Sequence, residues 1–212
     1  PIERPYANNN PLYLSPVLST QNPLALSERD LTGYNENTTR NFQSSFSLTY
    51  TAPFLKGLSL RGVASYDANN YQSKGLHKPY NLYTYTEGLE NPYTPVPQRS
   101  GTGNISNHHS NNNAVTLQGY LMYENQFFDR HNVNAVLVVE QNQWNERWSN
   151  LTRYYTSFYT KDQIRFADRQ RMENDGLENQ SASLSYIGRF NYDYEGKYLA
   201  EFAFRYMGHY AY

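Results

Sequence analysis

The stretch SLSYIGRFNYDYEGKYLAEFAFRYM, Ser183–Met207, alternates between apolar and polar side chains on both sides of the short turn EGK. Successive residues of a β-strand point to opposite faces of a sheet, so this pattern predicts a hairpin with one apolar and one polar face. The apolar row holds Leu184, Tyr186, Phe190, Tyr192, Tyr198, Phe202, Phe204 and Tyr206. The charges of the polar row are Arg189, Asp193, Glu201 and Arg205.

Four earlier stretches repeat this alternation, and the pattern as a whole predicts six strands. They are Phe42–Ala52, Leu58–Ala68, Ala114–Phe127, Val133–Trp148, Gln180–Tyr194 and Tyr198–Tyr212. The apolar rows carry no charge, whereas the opposite rows of the earlier strands add Arg61, Asp67, Glu124 and Glu140. Tight turns alternate with long excursions, which span about 69–113 and 149–179.

The length of these strands favours a membrane-spanning sheet over a soluble one. Globular strands average about 5 to 6 residues, whereas about 9 to 11 tilted residues cross a bilayer core. Aromatic side chains, which membrane interfaces favour, gather at the tight-turn end: Phe54, Phe127, Phe128, Tyr192, Tyr194 and Tyr198. The predicted fold is therefore all-β, an antiparallel up-and-down transmembrane β-barrel segment of about six strands of a larger barrel. Its loops would be extracellular and its short turns periplasmic.

Composition excludes several classes of protein. The 212 residues have a net charge of -1 and contain no cysteine, which argues against a nucleic-acid surface, thiol catalysis and disulfides. Mean hydropathy is -0.84, and no run of about 18 apolar residues predicts a transmembrane helix. A β-barrel escapes that test because only alternate residues meet lipid.

The chain is expected to be an internal piece of a longer exported protein, since it begins at Pro1 without an initiator methionine or a signal peptide. Residues 1–41 are predicted to form an extracellular loop segment. Residues 42–212 are predicted to form barrel wall, as three hairpins with two long loops. An open sheet edge in lipid would leave backbone groups unpaired, so other strands are expected to complete the barrel.

Several segments, in order along the chain, resemble SusC-like, starch-utilisation-type TonB-dependent outer-membrane transporters. They are NPLALSERDLTGY (Asn22–Tyr34), FQSSFSLTYTAPFLKGLSLRGVASYD (Phe42–Asp67), KPYNLYTYTEG (Lys78–Gly88), FDRHNVNAVLVVEQ (Phe128–Gln141) and GRFNYDYEGKYLAEFAFRYMG (Gly188–Gly208). The resemblance covers the middle part of the barrel only. It implies a 22-stranded barrel with an internal plug, located as a multi-pass protein in a Gram-negative type outer membrane.

The resemblance also implies the partners of the parent protein. These are outer-membrane lipid, a SusD-like surface lipoprotein lid, the remainder of the barrel and plug, and the TonB complex. The plug domain and the TonB box are absent from this chain, so coupling to TonB would run through the missing N-terminal part. No nucleic acid is expected as a partner.

Candidate binding residues lie on the polar row near the long-loop end. Trp144 and Trp148, with Asn142 and Glu146, fall on this face if the register of the fourth strand holds. An indole can stack on a sugar or peptide while Asn and Glu donate or accept hydrogen bonds, or these Trp residues can instead pack against a plug, loop or lid. Tyr83, Tyr85 and Tyr93, in the first long loop, have the same two interpretations.

No catalytic residue, metal site or cofactor is predicted. The carboxylates of the polar row are interspersed with arginines, and the sequence places no carboxylate or Cys at ligand spacing from His108 and His109. The preferred function is import of an oligomeric nutrient, a glycan or a peptide. The alternatives are a soluble or surface-attached carbohydrate-binding β-sheet module and a structural outer-membrane barrel or adhesin.

Overall fold

A computed structural model of the chain describes residues 5–16, 22–98, 102–156 and 161–211. Within these ranges the chain is mostly β-structure, with eight strands, two short α-helices and two 3-10 turns at Ala7–Asn9 and Ile164–Phe166. The strands are β1 (Gly33–Thr51), β2 (Leu58–His77), β3 (Asn81–Tyr85), β4 (Tyr93–Pro97), β5 (Asn104–Phe127), β6 (His131–Tyr154), β7 (Met172–Tyr194) and β8 (Tyr198–Ala211). The helices are α1 (Pro23–Ser27) and α2 (Arg29–Thr32).

The long strands form one sheet in the order β1-β2-β5-β6-β7-β8, which we call the main sheet. Strands that follow each other in the chain are neighbours, apart from the small β3-β4 ribbon inserted between β2 and β5. The predicted all-β, antiparallel up-and-down arrangement is therefore confirmed. No helix of the described residues is long and apolar enough to cross a membrane.

The strands are longer than the alternation alone predicts. β5 begins at Asn104 and β6 ends at Tyr154, so part of each predicted excursion is strand. β1 begins at Gly33, within the segment 1–41 that was expected to be loop, and this segment also contains α1. The side chain of Asn22 caps α1 by accepting hydrogen bonds from the backbone of Leu24 and Ala25, and Pro23 fits the first helical position. The division into loop segment and barrel wall stays a prediction.

The chain divides into two compact units. The loop unit comprises Pro1–Thr38, Tyr71–His109 and Ser149–Gly176, and the sheet unit comprises Thr39–Asn70, Ser110–Trp148 and Leu177–Tyr212. The described part of the loop unit contains two small apolar cores. Leu76, Ile105, Tyr155 and Ala167 form the first, and Ala25, Tyr80 and Leu82 form the second.

The sheet unit, by contrast, has almost no buried residues. Within its described part only Ala52, Ser185 and Gly188 are buried. Large apolar side chains of every strand are exposed, among them Phe46, Leu117, Leu137, Leu184 and Phe204. We call the face that carries these five residues the apolar face, and the opposite one the polar face.

Contacts across the strands fix the register in which each face is built. In the β7-β8 pair, Tyr186 lies opposite Tyr206, Gly188 opposite Phe204, and Phe190 opposite Phe202. The ring of Phe204 lies so close to Gly188 that a Cβ there would be 2.1 Å from it. A side chain at position 188 would therefore displace this ring, which covers the bare backbone of the neighbouring strand.

The tight turns also constrain single residues. Gly57 has φ +87°, and a Cβ there would lie 1.9 Å from the carbonyl oxygen of Glu124. Glycine is required for both reasons, since an L-residue at this φ is strained and the Cβ would collide with backbone. The amide of Glu124 donates to the carbonyl of Gly57 at 2.9 Å, so this turn also pairs with β5.

Candidate functional site

The polar face of the sheet unit carries a connected network of side chains. The amide of Gln118 donates to Glu140 at 2.6 Å, and Asn142 donates to the same carboxylate at 3.1 Å. Thr116 in turn donates to Asn142 at 2.8 Å. Neighbouring strands thus present rows of hydrogen-bonding groups that face the same way.

The predicted charges of this face lie along the same network. Arg205 approaches Glu140 at 3.9 Å and donates to the hydroxyl of Ser185 at 3.3 Å. Arg189 pairs with Glu201 at 2.8 Å, while Arg61 lies over the ring of Tyr120 at 5.9 Å. Of the predicted carboxylates, Asp193 accepts from Gly196 and Asn132, Glu124 lines a hollow near the tight turns, and Asp67 lines the hollow beside Trp144.

Both faces of the main sheet carry exposed side chains. Leu137 and Val139 on the apolar face are 49% and 46% exposed, and the Arg189 and Glu201 side chains on the polar face are 58% and 54% exposed. In a soluble sheet the apolar row is the covered one. The geometry suits a polar interior and an apolar environment outside.

Trp144 lies on the polar face, as its predicted register requires. It lines a small hollow of 200 Å³ with Asn41, Asp67, Asn69 and Asn112, and it is partly exposed. Asn69 donates to Asn41 at 2.5 Å, so the floor of this hollow is hydrogen-bonded. A flat ring beside amides and a carboxylate can stack on a ligand that also hydrogen-bonds.

The other predicted binding residues of β6 occupy the same row as Trp144. Glu146 accepts a hydrogen bond from Asn179 of β7 at 3.1 Å, and Asn142 is held by Thr116 and Glu140. Trp148 lies at the end of this row and is half-buried. The structure thus brings Asn142, Trp144, Glu146 and Trp148 to one edge of the polar face.

Tyr83 and Tyr85 belong to the loop unit, on the β3-β4 ribbon. Tyr13 contacts Tyr83 edge-on at 5.0 Å and stacks on Tyr93 at 3.9 Å, and Tyr85 lies 5.3 Å from Tyr93. Asn10 donates to the hydroxyl of Tyr93 at 3.2 Å. Pairing of β3 with β4 places Tyr93 opposite Tyr85. Asn10 and Tyr13 were not among the predicted residues, because they reach this cluster through a distant segment whose Leu14 carbonyl accepts from the backbone of Tyr83 at 2.7 Å.

An ionic cluster joins three segments of the loop unit. Asp162 accepts from the hydroxyl of Tyr34 at 2.6 Å and pairs with Lys74 at 2.7 Å. Partial burial tends to raise the pKa of Asp162, but hydrogen bonds from Lys74 and Tyr34 outweigh it, and the net pKa is lowered. The same contacts raise the pKa of Lys74, chiefly through the hydrogen bond to Asp162. The cluster therefore fixes the segment around Asp162 against β1 and β2.

No group of three or more His, Cys, Asp or Glu side chains that could hold a metal ion occurs in the described residues. The roles assigned to the candidate binding residues and to the charges of the polar face stay predictions. What the geometry offers is binding: stacking rings, amides and paired charges.

Comparison with known proteins shows a shared fold. No family model matches the chain, and no curated protein sequence matches it. Among solved structures, the chain is similar to that of the RagAB peptide transporter, with a TM-score of 0.63 at 16% identity over 82% of this chain. The RagAB peptide importer matches in its 'open-open' state with the same values, and in its 'closed-closed' state with a TM-score of 0.59 at 17% identity. The chain spans 18% of the length of these transporter chains.

Proposed function

We propose that this chain is part of the wall of an outer-membrane β-barrel that imports an oligomeric nutrient. The observation that carries the proposal is the exposed apolar face of the sheet unit opposite a hydrogen-bonded polar face. Lipid would cover the first, and water and substrate would meet the second. The similarity in fold to solved chains of a peptide transporter supports this assignment.

Peptide is the substrate class that we propose first. The solved structures that share this fold are described as those of a peptide transporter and peptide importer. The amide and carboxylate groups around Trp144 can pair with the N–H and C=O groups of a peptide backbone. A glycan, which would stack on the same indole, is the alternative.

The mechanism would be passage without chemical change. The wall supplies a conduit whose backbone groups are satisfied by strand pairing, and the polar face supplies reversible hydrogen bonds to the moving substrate. The resemblance to SusC-like transporters adds a plug that gates the conduit, a SusD-like lipoprotein lid and energy from TonB. These partners, and the absence of catalysis, are part of the proposal.

The membrane arrangement can be tested with neighbouring cysteines, because the chain has none of its own. The full-length protein that contains this chain is reconstituted in vesicles as Leu137→Cys or Val138→Cys and labelled with the same fluorophore. Lipids with brominated acyl chains should quench the label at 137, on the apolar face, and spare the label at 138. Equal quenching, or none at either position, would contradict the proposed lipid contact.

Substrate binding is tested on the same protein with an oligopeptide pool and an oligosaccharide pool in equilibrium dialysis. Peptides should be retained, and Trp144→Leu should weaken their retention. The matched control is Leu137→Met, which leaves the polar face unchanged. If the protein retains sugars but no peptides, the glycan alternative replaces the peptide assignment. If Trp144→Leu retains both pools as the parent does, Trp144 is not part of the binding site.

A further inference from the structure

We propose that the apolar face of the sheet unit contains a groove for one sugar-headed membrane lipid, an inference that rests on the proposed membrane location. An acyl chain would lie in an apolar hollow. The hydroxyl-bearing headgroup would lie in a polar hollow that follows it along the same strands.

The apolar hollow has a volume of 530 Å³ and exists because two glycines replace side chains. Gly62 of β2 and Gly119 of β5 line it, and a Cβ at either position would meet nothing within 4 Å. The side chains around them are those of the apolar face: Phe46, Leu48, Ala64, Leu117, Val139 and Leu184. The result is a depression with apolar walls that matches the chemistry of a hydrocarbon chain.

The polar hollow has a volume of 700 Å³ and continues the same rows toward the long-loop ends of the strands. On β6, Val139 and Gln141 line the apolar hollow, and Gln143, Asn145 and Arg147 line the polar one. Alternate residues share a face, so these five side chains form one continuous row. The predicted absence of charge on this face therefore holds for the apolar rows but not for their extension, where Arg147 and Glu178 lie.

The polar hollow is lined mainly by carboxamides. Asn70 donates to Asn111, and Asn145 donates to Asn113 at 3.0 Å. The carboxamide oxygens of Asn70 and Asn145 are buried without a hydrogen-bond partner among the described residues, whereas Gln143 and Gln180 of the same lining are exposed. Sugar hydroxyls both donate and accept, as carboxamides do, and can pair with these two exposed side chains.

The charges of this hollow disfavour an anionic headgroup. Arg147 is the basic side chain of its lining, and it is paired with Glu178 at 2.8 Å. A phosphate is best bound by unpaired Arg or Lys, which this surface does not offer among its described residues. A neutral, hydroxyl-rich headgroup is the better match.

The order of the two hollows favours a lipid over a protein as the occupant. The strands cross the apolar zone lengthwise, and the polar hollow begins where the apolar rows end. An amphiphile in a bilayer has the same order, with its acyl chain in the hydrocarbon region and its headgroup at the interface. One molecule could therefore fill both hollows at once.

The test uses the full-length protein that contains this chain, in detergent, with native mass spectrometry and three probes with identical acyl chains. These are a glycosyldiacylglycerol, a phosphatidylglycerol and a diacylglycerol without headgroup. The glycosyl lipid should bind about 10-fold more tightly than the diacylglycerol, as expected for one or two net hydrogen bonds. Equal or tighter binding of phosphatidylglycerol than of the glycosyl lipid would overturn the proposal.

Two variants separate the two hollows. Gln143→Ala combined with Gln180→Ala should reduce binding of the glycosyl lipid to the level of diacylglycerol. Gly119→Leu should weaken both lipids, because the new side chain starts from a position with open space and fills the apolar hollow. Ser65→Ala, on β2 but on the polar face, is the matched control and should bind as the parent does. Unchanged lipid binding in Gly119→Leu would contradict the groove even if the glutamine variant fails to fold.

Failure of this proposal can be told from failure of the membrane assignment. If the apolar face does not meet lipid, the parent protein will not float with vesicles and bromolipid will not quench the label at 137. If the protein floats and is quenched but shows no lipid preference, the groove alone is wrong.

Discussion

Phe204→Arg is the substitution that most directly tests which face meets lipid. Phe204 is 45% exposed on the apolar face, lies over Gly188 and is 6.0 Å from the ring of Phe202. An arginine there would remove the ring that covers Gly188 and would place a charge in hydrocarbon. An Arg on the lipid face near the bilayer midplane costs about 2 to 4 kcal/mol.

The same charge on the other face of the same strand should cost far less. Ala203→Arg is the variant matched in depth, because Ala203 is the neighbour of Phe204 on β8 and lies on the polar face, opposite Arg189. Arg205→Ala removes only partly exposed contacts to Glu140 and Ser185 and should lower the free energy of unfolding by at most about 1 kcal/mol. Phe204→Leu, which stays apolar, separates the charge from the loss of the ring.

The assay is urea unfolding of the full-length protein in lipid vesicles, together with the heat-dependent shift of the folded band on a denaturing gel. Phe204→Arg should be less stable than Ala203→Arg by about 2 kcal/mol or more. If the two arginine variants unfold at the same urea concentration, the assignment of the faces is wrong.

Three further changes test other parts of the structure. Gly57→Ala should destabilise the first hairpin by more than about 1 kcal/mol, because φ is +87° and the carbonyl oxygen of Glu124 occupies the place of the Cβ. Gly196→Ala, where φ is +66° and the space is open, is the control and should cost less. Equal urea midpoints for the two variants would refute this. The pKa of Asp162 is lowered in the folded protein, so its ion pair contributes fully to stability above its ordinary pKa of 3.8. This contribution is lost as the pH falls below that value. Amide hydrogen exchange around residues 161–167 should therefore become faster in acid. Asp162→Asn should show the faster exchange already at pH 7, and an unchanged rate in this variant would rule out the cluster as the fastening of that segment. Tyr13→Leu should loosen the β3-β4 ribbon, because it removes the ring that contacts Tyr83 and Tyr93, and the amide of Tyr83 should exchange its hydrogen faster. Tyr6→Leu serves as the control. Similar amide exchange in both variants would show that the stacked rings do not hold the ribbon.

The candidate site was predictable in part. The register of β6 could be inferred because Val133, Ala135, Leu137 and Val139 mark one face, which places Trp144 on the other. The hollow beside Trp144 could not be inferred, since Asn41, Asp67 and Asn112 come from three other strands. The tyrosine cluster of the loop unit was hidden for the same reason: Tyr13 precedes Tyr83 by a long stretch of chain, and alternation carries no information on such distant contacts.

The sequence by itself determined the faces of the main sheet. Side chains alternate along a strand, so the rows of Leu, Phe and Tyr opposite Arg, Glu and Asp could be read without coordinates. The tertiary structure decided where the strands end. Asn is depleted in strands, and so the Asn-rich segment that begins β5 was predicted to be loop. Its amides find partners at Asn70 and Asn145 only when β2 and β6 lie on either side of it, and these cross-strand pairs override the local preference.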